Sequence, residues 1–131
     1  MNRVTGIGGI FIKSKDSKAL REWYRVHLGM DVQDWGGMVF HWSTPENPNP
    51  NGTTVWTVMD ASSKYFDPST APFMVNYRVE DLHAVLAALR AEGCAVDAKA
   101  EESEFGKFGW VMDPDGNRIE LWEPPPGRIP G

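Results

Sequence analysis

Glu120 is the residue of this chain whose placement most invites chemistry. It stands in Met112-Asp113-Pro114-Asp115-Gly116-Asn117-Arg118-Ile119-Glu120-Leu121-Trp122-Glu123, which reads as strand, tight turn, strand. Pro114 fixes φ for a turn, and Asp115, Gly116 and Asn117 all tolerate turn geometry. A strand alternates, so Ile119 and Leu121 share one face while Glu120 and Trp122 share the other. Ile119 and Leu121 suit a core. Glu120 then faces a surface or a cavity in mid-strand, where a carboxylate needs water, a cation or a ligand as partner. As a catalytic group it would serve as general base or as a metal ligand.

The elements that would position Glu120 come in two copies. Ile10-Phe11-Ile12-Lys13-Ser14-Lys15-Asp16 and Val75-Asn76-Tyr77-Arg78-Val79-Glu80-Asp81 lie at a constant offset of 65 residues. Each is an alternating strand ending in an Asp suited to cap a following helix. The first helix is expected over Ser17–Leu28, with Leu20, Trp23, Tyr24, His27 and Leu28 as one apolar stripe and Gly29 as its stop. The second is expected over Leu82–Glu92, with Leu82, Val85, Leu86 and Leu89 as its stripe. Three strands follow each helix: 31–34, 38–42 and 53–59, then 95–99, 107–112 and 118–122. The pattern is βαβββ twice. Module 1 covers about 4–61, a linker with two prolines covers 62–72, module 2 covers about 73–123, and 124–131 is a tail, all within a single domain.

Asp-Pro-Asp-Gly-Asn-x-Ile-Glu-Leu at 113–121, with the duplicated βαβββ unit, resembles the vicinal oxygen chelate superfamily. That group includes glyoxalase I, extradiol dioxygenases and bleomycin-resistance proteins. The resemblance implies an α+β fold in which two modules form a curved, cup-like mixed sheet with the helices on its outer face. It implies that Ile10, Ile12, Val75, Tyr77 and Val79 pack on helices, and that Gly9, Phe11, Lys13, Met74, Asn76 and Arg78 face the cup. It also implies a metal-ligand role for the Glu of the closing strand, here Glu120. The family's ligand positions on the first and fifth strands fall on Gly9 and Met74, neither a donor for a hard cation. The fourth strand offers threonines, Trp56 and apolar residues. A divalent cation takes at least three protein donors, so the expected metal set is none and no cofactor is expected. His41 lies outside the family's ligand positions, and His27 and His83 lie on helices.

A cup without metal but with aromatic and polar walls is the pattern of a small-molecule pocket. The candidates for ligand binding are Phe11, Trp42, Trp56, Met74, Asn76, Arg78, Phe108 and Trp110, with roughly half of them assigned to core or dimer packing. Asn76 either orients a ligand or ties two strands. Arg78 either pairs with Glu120 or receives a ligand carboxylate or phosphate. The segment 100–110 reads as an acidic loop whose Gly-rich aromatic part rims the cup, and 62–67 as a second rim, with Tyr65 a donor or acid. Two functions stand side by side. One is a binding protein that sequesters an aromatic or cationic compound. The other is a lyase, isomerase or dioxygenase that uses Glu120.

Composition narrows the partners. A formal charge of −5 with no basic cluster argues against nucleic acid and anionic membranes. Cys94 is the one cysteine, and it reads as a small apolar residue rather than a nucleophile. The first residues show no signal-peptide core, and no run approaches a membrane span, so a cytoplasmic location is the default expectation. A homodimer is expected from the surplus of aromatic side chains, six of them Trp.

Overall fold

A computed structural model describes residues 3–48 and 50–126. The elements run β1 (Val4–Ser14), α1 (Ser17–Leu28), β2 (Gly37–His41), β3 (Thr53–Asp60), β4 (Phe73–Val79), α2 (Leu82–Ala91), β5 (Ala95–Val96), β6 (Glu101–Ser103), β7 (Gly106–Met112) and β8 (Arg118–Glu123). Both helices start where an Asp meets the chain turning out of a strand. The Asp16 carboxylate accepts from the Ala19 amide and that of Asp81 from the Ala84 amide, each at 3.1 Å. Gly29 ends α1 in the left-handed region, at φ 65°.

The strands form one mixed sheet in the order β2-β3-β1-β4-β8-β7-β5, with β6 paired to β7. The two halves join where β1 and β4 run antiparallel, Gly9 opposite Asn76 and Phe11 opposite Met74. On either side of that seam lies a parallel pair, β1 with β3 and β4 with β8. The fold is α+β, an open eight-stranded sheet with two helices.

The closing hairpin forms as its residue types dictate. Gly116 takes φ 80°, and the Asp113 carboxylate accepts from the amides of Asp115 and Asn117 and from the Asn117 side chain. These bonds hold the Asp113 carboxyl below its usual range. The turn fixes β8 against β7, and with it the position of Glu120.

Three expectations are corrected. Residues 31–34 form no strand: Gln33 donates to Gly37 and Gly36 to Gln33, so this stretch is a set of tight turns after Gly29. Residues 101–103, expected as a loop, pair with β7 as β6. The stripe of α1 is poorly covered, with Trp23 49% and Leu28 59% exposed. Tyr24 is the member that meets the sheet through an aromatic contact, its ring 4.9 Å from that of Trp56.

Two cores lie on opposite faces of the sheet. On the helix face, Val79, Leu82, Leu86 and Leu121 are buried with Tyr77, Val85, Leu89 and Ile119 around them. On the other face, Phe11, Phe66, Met74 and Trp110 are buried, with Val55, Met59 and Phe108 against them. Phe66 comes from the segment between the halves and is fully buried. That segment is therefore a packed strap rather than a free linker.

Candidate functional site

The face away from the helices holds a cavity of about 450 Å³. The first half supplies Phe11, Trp35, Val39, Val55 and Met59, and the second supplies Phe105, Phe108 and Trp122. Against these apolar walls stand Tyr65, Asn76 and Glu120, with the backbone of Gly8 beside them.

Glu120 is 1% exposed. Asn76, its neighbour in register on β4, donates from Nδ2 to Oε1 at 2.7 Å. Trp110, opposite it on β7, donates from Nε1 to Oε2 at 2.9 Å. The Tyr65 hydroxyl, carried in by the strap, donates to Oε2 as well. Burial nevertheless outweighs these donors and raises the Glu120 carboxyl above its usual range. Burial, and then the adjoining carboxylate, push the Tyr65 hydroxyl well above the ordinary tyrosine value. Tyr65 is thus a fixed donor. Arg118 steadies the pair from behind: it donates to the Tyr65 carbonyl, lies over the Trp110 ring at 4.7 Å and pairs with Asp97 at 3.3 Å.

One polar atom here has no partner. Asn76 Oδ1 is buried and unbonded among the described residues. It points at the bulge where β1 slips register between Ile7 and Gly9. A side chain at Gly8 would begin 2.3 Å from Oδ1, so a glycine is required to keep that approach open. An orphaned buried acceptor beside a cavity is a position for a ligand donor.

The structure sorts the candidates named from sequence. Phe11, Asn76, Phe108 and Glu120 line the cavity. Trp110 lies behind Glu120 as its donor. Met74 is core, 1% exposed beside Phe11 and Phe66. Trp56 is corrected: Val55 lines the cavity, and alternation turns Trp56 to the other face, onto Tyr24. The pairing of Arg78 with Glu120 is also corrected, because the Arg78 guanidinium carbon lies over the rings of Trp42 and Trp122, at 5.1 and 5.2 Å, and Arg78 makes no ion pair with Glu120. Trp42 stands on the far side of Arg78 and is not a cavity wall. Gly8 and Asn76 line the cavity beside Glu120, while Gly9 stands opposite Asn76 in the ladder and Met74 is core.

A family model described as a glyoxalase-like domain matches residues 9–122 of the 131. The chain belongs to the glyoxalase-like family. Solved structures agree on the fold. Methylmalonyl-CoA epimerase from Mycobacterium tuberculosis is 24% identical with a TM-score of 0.62, the alignment covering 96% of this chain and 92% of that one. A variant of the Streptomyces coelicolor epimerase in complex with 2-nitronate-propionyl-CoA is 18% identical with a TM-score of 0.69, covering 97% and 99%. A glyoxalase/bleomycin resistance protein/dioxygenase superfamily member from Vibrio splendidus 12B01 is 12% identical with a TM-score of 0.56, covering 89% and 97%. No curated protein matches the chain.

The site of this glyoxalase-like chain does not suit the metal that chelating relatives use. Three N–H or O–H donors already occupy most of the lone pairs of Glu120, and one carboxylate alone does not hold a divalent cation. Thr57, at the place in β3 matching Glu120 in β8, spends its hydroxyl on the Gly36 carbonyl at 3.1 Å. Among the described residues no three His, Cys, Asp or Glu side chains gather.

Sequence reasoning passed over Trp35, Val39, Val55, Met59, Phe105 and Trp122 as walls. Trp122 was legible, since it shares the Glu120 face by simple alternation. Trp35 was not, since it directly follows the stretch 31–34 misread as a strand.

Proposed function

We propose that this chain binds a planar, mostly apolar organic molecule in its cavity, with a hydroxyl or N–H group of that molecule donating to Asn76 Oδ1, and that it does so without a divalent metal. The observation that carries this reading is the unpartnered Asn76 Oδ1 at the polar end of an otherwise apolar cavity. Glu120 strengthens that end as an acceptor, because Oε1 takes one bond, from Asn76, and keeps a lone pair. The volume falls within the range of small-molecule sites, roughly 300–1,000 Å³.

The test is a pair of probes that differ by one hydrogen-bond donor. 2-Naphthol should raise the melting temperature of the chain, and 2-methoxynaphthalene should do so far less, before and after treatment with a chelator. Equal shifts for the two would remove Asn76 from the reading. A shift that vanishes on chelation and returns with zinc or magnesium would overturn its metal-free part.

A second reading, proton transfer by Glu120, is favoured by one observation: burial raises this carboxyl toward the neutral range where a general base works best. It would place the chain among the isomerase or lyase members of its family. Deuterium from solvent appearing at a carbon of a bound carbon acid supports it. No incorporation, with binding intact, leaves binding as the function.

A further inference from the structure

Two aromatic side chains stand where the cavity meets solvent. Trp35 and Phe105 line it, yet Trp35 is 54% and Phe105 45% exposed. Phe11, Asn76, Glu120 and Trp122 line the same cavity and are buried. Exposure therefore grades along the cavity, from a deep polar end to an open mouth. Tyr65 joins the two ends, since it is 37% exposed while its hydroxyl is spent on Glu120.

Each half of the chain contributes one mouth residue, in the same local setting. Trp35 precedes Gly36 in the turn that enters β2, and Phe105 precedes Gly106, the first residue of β7. Both glycines take positive φ, 106° and 118°, which a side chain adopts only with strain. The backbone beside each aromatic is braced. The Gly36 carbonyl accepts from the Val58 amide at 3.2 Å and from the Thr57 hydroxyl at 3.1 Å, and the Gly36 amide donates to the Gln33 carbonyl at 3.0 Å. The Phe105 amide donates to Ser103 Oγ at 3.1 Å, and the Phe105 carbonyl accepts from Trp122 Nε1 at 2.8 Å. Trp122 is itself a wall of the cavity, so a buried wall holds the backbone that presents an exposed one.

Single exposed apolar side chains are ordinary on a protein surface, and Trp23 and Leu28 of α1 are of that kind. Trp35 and Phe105 differ because they share one cavity and stand on braced turns. Apolar area held in place at a mouth is area that a ligand removes from water with little ordering cost. A cavity of about 450 Å³ is also in the range that encloses most of a drug-sized ligand, one longer than two fused rings.

We propose that Trp35 and Phe105 are the specificity-determining residues of the cavity mouth and that they select ligands by length. The preferred class carries its hydrogen-bonding head at the Asn76–Glu120 end and an aryl group at the opposite end, which reaches the mouth and covers both side chains. The inference rests on the cavity being the small-molecule site argued above.

Calorimetric titrations with 2-naphthol, 6-phenyl-2-naphthol and 3-phenyl-2-naphthol test it. With the hydroxyl at the deep end, a phenyl ring at position 6 extends toward the mouth, and one at position 3 lies beside the hydroxyl at the closed end. The two isomers share one composition, so general hydrophobicity does not separate them. The 6-phenyl compound should bind roughly tenfold tighter than 2-naphthol, as expected of partial burial of one added ring, and the 3-phenyl compound no tighter than 2-naphthol. Trp35→Ala and Phe105→Ala should each cut the gain to about threefold, and the double variant to less than about twofold, with 2-naphthol weakened less than the 6-phenyl compound. In the native chain, nuclear Overhauser contacts should connect the added phenyl ring to the Trp35 indole, which reads the same placement where the double variant does not fold; their absence overturns the inference. If 2-naphthol binds and the 6-phenyl compound gains nothing, or gains as much in the double variant as in the native chain, the mouth inference is overturned and the cavity reading stands. If none of the three binds, both are overturned.

Discussion

The two halves of this molecule share a plan and differ in what they bury. In the second, α2 lies on the sheet with Leu82 fully buried and Leu86 2% exposed. In the first, α1 buries one residue, Ser17, and leaves Trp23, Val26 and Leu28 about half or more exposed. The sites differ in the same sense. At the place where β8 carries Glu120, β3 carries Thr57, and where β4 carries Asn76, β1 carries Phe11. The second half holds the polar groups and a dense helix-side core beneath them. The first half provides apolar wall. A buried carboxylate with three donors needs fixed neighbours, and it is found in the half whose helix is the better packed. Duplication supplied two equivalent frames, and divergence placed the chemistry in one.

The largest test of that asymmetry compares cores. Leu86→Ala should cost about 2–5 kcal/mol, because Leu86 fills the space over Gly109, where a side chain would start 2.8 Å from its Cδ1. Leu20→Ala, at the equivalent helix of the first half, should cost about 1 kcal/mol or less. Urea melts of the two variants measure the difference, and similar losses would erase the contrast.

A smaller effect should be symmetric. Asp16→Ala and Asp81→Ala remove equivalent caps with equal geometry, and each should cost about 1 kcal/mol. Unequal losses would show that the weaker packing of α1 reaches its first turn.

The smallest change in stability is expected at Glu120, where the effect appears in pH dependence. Burial raises the folded-state pKa above the usual 4.5, so the folded chain holds this proton more tightly than the unfolded chain. The contribution is fully present below the ordinary carboxylate range and declines as pH rises through the folded value. Asp97 and Asp113, whose pKa values are lowered, act in the opposite sense. Glu120→Gln removes the first effect alone. Its amide oxygen can take the bonds from Tyr65 and Trp110, and its amide nitrogen can donate to a turned Asn76. At pH 7 it should match or slightly exceed the native stability, its advantage growing with pH, while 2-naphthol affinity falls. A variant that loses ground as pH rises would reverse the assigned shift.

Much of the frame was legible because the signals were local. Both capping Asp residues, Gly29, the 113–117 turn and the stripe of α2 are short-range chemistry. The cup-facing alternation of β4 and β8 was legible too, and it put Asn76 and Glu120 on one face. Trp56 was misplaced because β3 is apolar on both faces, both being covered, so alternation carried no sign. Residues 31–34 misled because their polarity alternates while their backbone groups are satisfied by turns. The partners of Glu120 were partly hidden: Trp110 and Asn76 come through sheet register, and Tyr65 comes through the fold of the strap. The place of Arg78 between two indoles depends on distant strands and on glycine positions no periodicity reveals.

The strap itself has a consequence for how the chain tolerates breakage. Lys64 is exposed, and directly after it Tyr65 reaches Glu120 and Phe66 fills the core. A protease that cuts after Lys64 would create a new N-terminus beginning with these two anchored residues. The fragments would still share the β1–β4 ladder, and their plug would belong wholly to the C-terminal piece. Cleavage at this joint would leave the alignment of the two pieces to that ladder and to the plug alone.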